Sequence, residues 1–428
     1  MDSMSACESL IDDWAQRIRQ AEAGVVFQVR GGGTKPALWP QPGADLRSEA
    51  ALLPRSAGDR PEDCQPISTT DLSGVIEYCP AEFTITAYAG TPVSLLLQVL
   101  REQGQYLPFE SPYHVPTDPT DTGPTSGPTS GPTSGPTSGP AAGAESAVRY
   151  GLAERATLGG LVAAGINGPG RMRHGGLRDF ILEVRYLDGQ GCVRRGGRRV
   201  VKNAAGFDIP KLMVGSCGRM GILLDVTFKV FPRPRDYLTL HLMSENIDST
   251  VEILSTLQTH PWDLDAIEIQ PDGSILARFA GYAEALIKHG QRIQSRLSKY
   301  YSSFLTGAQQ HHAWTAYADW LWGRPNQCLV KVPIALRKIF DLDEDLEEME
   351  IQRAYGSGGN VAWLQWSLAE ETQAARLRRL HKLLVENNLT GQVLQGPSPQ
   401  IFWGTQPEAS FRQRLKSVFD PDCRLGSY

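Results

Sequence analysis

The residues best equipped for chemistry are glycines set among a few cations and hydroxyls. Residues 25–29 read as a short strand that runs straight into Arg30-Gly31-Gly32-Gly33-Thr34-Lys35. Such a turn brings together main-chain N–H donors, a hydroxyl and two positive charges, which suits a phosphate group. A second glycine-rich stretch spans residues 156–234. It contains Thr157-Leu158-Gly159-Gly160-Leu161-Val162-Ala163-Ala164-Gly165, then Gly168-Pro169-Gly170-Arg171 and Gly175-Gly176. Lys202-Asn203-Ala204-Ala205-Gly206-Phe207-Asp208 and Gly215-Ser216-Cys217-Gly218-Arg219-Met220-Gly221-Ile222 follow. Glycine lets main chain approach a ligand without a Cβ in the way, and the small side chains of 161–164 leave room for something flat. Together these turns suit a dinucleotide held without a Rossmann loop. The Gly215/Gly218/Gly221 spacing is GxxGxxG rather than GxGxxG, and no GxxxxGK[ST] occurs. Taken alone, the same glycines also fit a loop-rich β domain with many turns and bulges.

The elements that must position these turns can be read in order. Residues 9–23 carry a helical apolar stripe at Leu10, Ile11, Trp14 and Ile18. Residues 68–77 and 83–88 read as strands, followed by the turn Ala89-Gly90-Thr91-Pro92. A helix over 93–103 then has Thr91 at its N-cap, Pro92 at N1 and Gly104 at its end. Residues 180–187 and 192–194 form a hairpin about Asp188-Gly189. A strand over 221–231 closes at Pro232-Arg233-Pro234. Beyond residue 235 strands and helices alternate. Strands are expected at 238–243, 264–270, 275–279, 328–333, 361–368 and 392–395. Helices are expected at 250–259, 282–304, 313–322, 336–352, 370–387 and 408–419. Between the two glycine-rich regions, residues 112–155 hold four Gly-Pro-Thr-Ser tetrapeptides (123–138) and almost nothing to bury. Such composition predicts a disordered insertion, tolerated because loop length costs little.

The chain of 428 residues has room for two domains. Its formal net charge of −5 advertises no polyanion-binding surface, so nucleic acid is not an expected partner. No apolar run approaches the roughly 18 residues of a membrane span, and the N-terminus lacks a signal peptide's pattern. The seven cysteines (7, 64, 79, 192, 217, 328, 423) are scattered and never form CxxC. That pattern suits a reducing cytoplasm and no iron–sulfur cluster held by this chain.

With these parts in order, the chain resembles flavoproteins of the vanillyl-alcohol-oxidase type, which carry a PCMH-type FAD-binding domain. More narrowly it is similar to the FAD-binding subunits of bacterial glycolate oxidase (glycolate dehydrogenase). The narrower match is carried by residues 158–165, Gly168-Pro169, Arg171, residues 201–208, residues 212–216 and Val230-Phe231-Pro232-Arg233-Pro234. The resemblance implies an α+β fold. A two-lobed FAD-binding domain (1–235; lobes 1–110 and 156–235) precedes a smaller α+β cap (236–428). It implies cofactor contacts from Arg30, Gly31, Gly32, Gly33, Thr34 and Lys35, then from Thr157, Leu158, Gly159, Gly160, Ala163 and Gly168. Further contacts are implied from Arg173, Lys202, Asn203, Gly206, Asp208, Gly218, Gly221 and Ile222. Members that bind FAD covalently through the first loop have a histidine there. Gly31–Lys35 has none, so FAD is expected to be non-covalent. The tail reads Phe419-Asp420-Pro421 but lacks the usual Asn-Pro-Gly, so a flavin contact from the tail is not carried over.

Hydroxy-acid-oxidising relatives place histidines in the cap within an HxxGxGNxH stretch, and nothing similar occurs here. Of the eight histidines (114, 174, 241, 260, 289, 311, 312, 381), His174 alone sits beside the glycine turns. Arg171, Arg173 and Lys202 are the cations placed to favour a pyrophosphate or a reduced flavin. No catalytic residue and no metal site can be named. The expected role is the FAD-binding subunit of a glycolate-oxidising complex, with a second flavin subunit and an iron–sulfur subunit as partners. Its place is the cytoplasm, with any inner-membrane association made through partners. A self-contained FAD-dependent 2-hydroxy-acid dehydrogenase and an interaction subunit with a structural flavin are the alternatives.

Overall fold

The structure is a computed structural model. It describes residues 2–38, 64–108, 155–198, 207–260, 262–322, 326–368, 373–398 and 400–426. The Gly-Pro-Thr-Ser repeat, His114, Lys202, Asn203 and Gly206 lie outside the described residues.

Helix α1 (Asp2–Gln20) buries Cys7, Ile11, Trp14 and Ile18 along one face, as the helical stripe requires. That face packs on β1 (Val26–Arg30) and β2 (Cys64–Ser68), which pair in parallel from Val26↔Cys64 to Arg30↔Ser68. The next elements are β3 (Val75–Cys79), β4 (Thr84–Tyr88), α2 (Val93–Glu102) and the short β5 (Gln105–Tyr106). They are followed by α3 (Leu158–Ala164), α4 (Arg171–His174), α5 (Leu177–Phe180), β6 (Ile181–Leu187) and β7 (Val193–Gly197). Helix α6 (Ile209–Met213), β8 (Ile222–Lys229) and β9 (Phe231–Pro232) complete this half. Strands β3-β4-β8-β6-β7 form one five-stranded sheet, in that order. The expected hairpin is present: Asp188 accepts hydrogen bonds from the N–H groups of Gln190 and Cys192 and from Arg194, fixing the β6–β7 turn.

The second half is a nine-stranded sheet backed by helices. Its strands are β10 (Asp236–Leu242), β11 (Leu264–Ile269), β12 (Ile275–Gly281), β13 (Ser302–Leu305), β14 (Gln327–Pro333), β15 (Gln352–Gly356), β16 (Val361–Ser367), β17 (Thr390–Gln395) and β18 (Phe402–Gly404). Their order across the sheet is β13-β10-β12-β11-β15-β16-β14-β17-β18, and every pairing is antiparallel. Helices α7 (Ile247–Thr259), α8 (Ala283–Arg296), α10 (Lys338–Glu348) and α11 (Gln373–Glu386) bury their apolar faces against it in a single cluster. Helix α9 (Gly307–Trp322) does the opposite. Its Tyr317, Leu321 and Trp322 join Leu329, Ala354 and Trp363 of the sheet in the core of the first half. One apolar core therefore runs through both halves. Helix α12 (Ala409–Phe419) also returns to the first half, where Phe419 contacts the Tyr186 ring and accepts the Gly189 N–H.

Four expectations fail in detail. The strand expected over 68–77 is interrupted: β2 ends at Ser68, a turn follows, and β3 begins at Val75. The helix expected over 282–304 ends at Arg296, and Ser302–Leu305 instead pair with β10 at a sheet edge. The helix expected over 336–352 ends at Glu348, because Glu350 takes a positive φ of 54° and the chain turns into β15. Thr91 does not cap α2. Pro92 holds that position, and the Thr91 hydroxyl ties to the Gly74 main chain at 3.0 and 3.1 Å. Among the described residues no helix is long and apolar enough to cross a membrane.

Candidate cofactor site

The parallel β1–β2 pair ends at one point and delivers the first glycine turn there. The Arg30 carbonyl accepts from the N–H of Thr69 at 2.8 Å and from its hydroxyl at 3.2 Å, so the turn starts from a fixed strand end. Gly31 and Gly32 are then required by contact with the second turn. A Cβ on Gly31 would lie 2.2 Å from Thr157 Oγ1, and one on Gly32 would lie 1.4 Å from the Arg155 carbonyl oxygen. The N–H groups of Gly31, Gly32 and Gly33 make no hydrogen bond to any described residue. Around them stand Arg30, Lys35, Arg155 and the Thr34 hydroxyl. Arg155 donates Nε–H to the Gly32 carbonyl at 3.0 Å, and Lys35 donates to Thr34 Oγ1 at 3.0 Å. Burial pushes the Lys35 ammonium down to about 8.

The second turn contributes shape rather than donors. Thr157 caps α3 by accepting from the Gly160 N–H at 3.3 Å, while the Leu158 and Gly159 N–H groups bond to the carbonyls of Thr91 and Ala89. The sequence suggests free donors at this helix start, and the structure spends them inside the protein. What the turn offers is a surface without side chains at Gly159 and Gly160, continued by Ala163. The third wall is the Cys217-Gly218 turn, with φ of 51° and 73°, held by the Cys217 N–H on the Ala163 carbonyl at 2.8 Å.

These walls enclose a cavity of about 330 Å³, at the small end of the usual range for ligand sites. Arg30, Gly31, Gly32, Gly33, Thr34, Lys35, Thr157, Gly159, Gly160, Ala163, Gly218 and Gly221 all line it. Its lining is cationic and rich in donors at Arg30, Lys35, Arg155 and the first glycine turn, and apolar at Leu38, Ala89, Cys217 and Leu223. Burial also raises the Cys217 thiol, although nearby cations act against it, and its Sγ receives Gln392 Nε2 at 3.4 Å from β17.

Other expected residues lie elsewhere. Leu158 and Ile222 are buried in the cores on either side, with no surface on the cavity. Gly168 is buried in the turn before α4, where its carbonyl receives the Arg171 N–H. Arg173 points to the second half, pairing with Asp263 at 3.1 Å. Asp208 caps α6 and pairs with Lys211 at 3.1 Å. His174 likewise leaves the cavity. Its Nε2 is 3.1 Å from the Tyr106 hydroxyl and 3.6 Å from Asp265, a buried carboxylate that Arg278 grips at 2.7 Å. Arg155, Gln28, Thr69, Leu38, Cys217 and Leu223 line the cavity without having been expected there. Only Arg155 carried a usable signal, its place two residues before Thr157.

No known family model matches the chain. Glycolate oxidase subunit GlcE of Escherichia coli (strain K12) is 30% identical over 327 residues, covering 75% of this chain and 75% of its own length. The chain belongs to the GlcE family of glycolate oxidase subunits. Glycolate oxidase subunit GlcD of Bacillus subtilis (strain 168) is 30% identical over 102 residues, 24% of this chain and 22% of its own. D-lactate dehydrogenase of Archaeoglobus fulgidus is 28% identical over 120 residues, 26% of this chain and 27% of its own. Among solved structures, alkyldihydroxyacetonephosphate synthase superposes with a TM-score of 0.60 at 14% identity, over 97% of this chain and 73% of that one. That likeness shows that the chain shares this protein's fold. Membership in this family makes the chain a flavin-dependent oxidoreductase subunit. The cavity fits FAD on its own terms: unpartnered N–H groups and three cations suit a pyrophosphate, and the slot beside Gly159, Gly160 and Ala163 suits a flat ring.

Proposed function

We propose that the chain is the FAD-binding subunit of a glycolate-oxidising complex and that it holds FAD non-covalently. Residues 1–235 are then a two-lobed FAD-binding domain and 236–428 its cap, from which the last helix and tail return to the first domain. Bound there, FAD supplies two-electron redox chemistry of the kind that converts a 2-hydroxy acid to a 2-oxo acid. The chain's own residues do the holding. Gly31, Gly32 and Gly33 donate main-chain N–H groups to the pyrophosphate, with Arg30, Lys35 and Arg155 balancing its charge. Gly159, Gly160 and Ala163 exclude water from one face of the ligand without crowding it.

The observation that carries this reading is the lining of the cavity: it has donors and cations for a dinucleotide, but among the described residues it has no histidine, aspartate or glutamate. Among the described lining residues no imidazole is at hand to form a flavin bond. Cys217, the lining residue with a thiol, is kept protonated by burial and is a poor nucleophile. Among the described lining residues there is also no carboxylate or imidazole to act as a conventional base for a hydroxy acid, which favours a division of labour with a second flavin subunit. An iron–sulfur subunit would then take the electrons onward.

Acid precipitation of the purified chain tests the cofactor reading. Yellow FAD should appear in the supernatant. Flavin left on the pellet would refute non-covalent binding, and a chain that binds no flavin after reconstitution would refute the whole reading.

A further inference from the structure

Residues 420–425 come back to the elements that wall the cofactor cavity. Asp420, which follows α12, is fully buried. Its carboxylate accepts the Arg424 N–H at 2.8 Å, the Leu425 N–H at 2.7 Å and the ammonium of Lys416. Lys416 is itself 5% exposed and also donates to the Arg219 carbonyl at 2.6 Å. One carboxylate thus gathers residues 420–425 into a knot. Gly189 packs on it so closely that a Cβ there would lie 2.1 Å from Asp420 Oδ1.

The knot holds three parts of the cavity wall. The Arg424 carbonyl accepts the Phe27 N–H at 2.6 Å, and the next residues of β1, Gln28, Val29 and Arg30, line the cavity. Leu425, fully buried, packs with Phe27, Ile67 and Leu224 beneath that strand. Arg219 follows the lining residue Gly218. It donates to the Leu425 carbonyl at 3.4 Å and to the carbonyl of Leu38, another lining residue, at 3.1 Å. The strand is therefore tied to the tail directly, and the Gly218 turn and the first-loop end are tied to it through Arg219.

We propose that residues 420–425 are a working part of the cofactor site, with Asp420 as the positioning residue that fixes the first glycine loop through β1 and Arg219. The proposal rests on the flavin reading of the cavity. Three successive glycines have much conformational freedom to lose, so their N–H groups bind an anion well only if the surroundings hold them in place. If the tail does this, FAD binding and tail ordering are coupled, and the coupling acts equally in both directions.

Hydrogen exchange on the intact chain, with and without FAD, measures that coupling. Added FAD should slow exchange of the Phe27, Arg424 and Leu425 amides by ~10-fold or more. Amides of α8, on the nine-stranded sheet, should keep their rates. A chain ending at Asp422 keeps the Lys416–Asp420 pair but loses Arg424 and Leu425; its FAD Kd should rise by ~10-fold or more. Unchanged tail exchange on FAD binding, or an unchanged Kd in the folded shortened chain, overturns the proposal. If the shortened chain does not fold, the exchange result on the intact chain decides alone. An intact chain that binds no FAD would refute the flavin reading instead.

Discussion

Gly160→Val separates loss of cofactor from loss of fold. A Cβ on Gly160 meets Thr157 Oγ1 at 3.0 Å and nothing else within 4 Å, because it projects into the cavity. The protein therefore has little reason to object. Gly160 sits in the first turn of α3, where exchanging glycine for valine changes helix stability by less than about 1 kcal/mol. The ligand does object, since three added carbons occupy the slot that its flat ring needs. Overpacking of this kind costs about 1–3 kcal/mol, and at about 1.4 kcal/mol per tenfold the FAD Kd should rise roughly 5- to 150-fold. Titrating apoprotein with FAD by fluorescence gives Kd, and circular dichroism gives Tm. Gly32→Ala is the contrast: its Cβ would lie 1.4 Å from the Arg155 carbonyl oxygen, so main chain must move and Tm should fall together with affinity. A Gly160→Val chain with wild-type Kd would refute the placement of the ligand against α3.

Removing the Arg155 guanidinium by Arg155→Ala should weaken FAD binding by about 1.5–3 kcal/mol, the worth of a charge-assisted hydrogen bond, with Tm unchanged; equal affinity would remove Arg155 from the site. Lys35 predicts a pH dependence. Its folded value of about 8 lies below the ordinary 10.5, so between those values the unfolded chain binds more protons and apoprotein stability rises with pH. An anionic ligand favours the charged form, so FAD affinity should fall above pH 8; Lys35→Met should abolish both trends, and calorimetry across pH 7–10 checks them. In the second half, Asp265→Ala strands the buried Arg278 and should cost about 3–5 kcal/mol in urea unfolding. Asp263→Ala, at an exposed pair, should cost at most about 1 kcal/mol, and equal costs would contradict the assignment of burial.

What could be read from sequence followed from how many local rules agreed. The first glycine loop was legible because a strand, three glycines, a hydroxyl and two cations all call for the same turn. Arg173 was misplaced because an arginine beside glycine turns looks the same whether it meets a cofactor or Asp263, 90 residues away. The free donors expected at the start of α3 were spent on Ala89 and Thr91, a long-range arrangement that local sequence does not encode. The helix expected to reach residue 304 kept its apolar spacing through Tyr300 and Phe304. Pairing of Ser302–Leu305 with β10 overrode that pattern. The tail was legible only as Phe419-Asp420-Pro421. Its bonds to Phe27 and Arg219 join residues about 200 to 400 positions apart, which local sequence does not encode.

The subunit proposed above holds a flavin but does not oxidise the hydroxy acid by itself. General-base assistance is worth about 10²–10⁴-fold in rate, and the described lining of the cavity has no carboxylate or imidazole to give it. The direct measurement is anaerobic mixing of the FAD-loaded chain with excess glycolate while the flavin absorption band is followed. The band should persist until the partner subunits are added. Rapid bleaching of the chain alone would contradict it and establish a self-contained dehydrogenase.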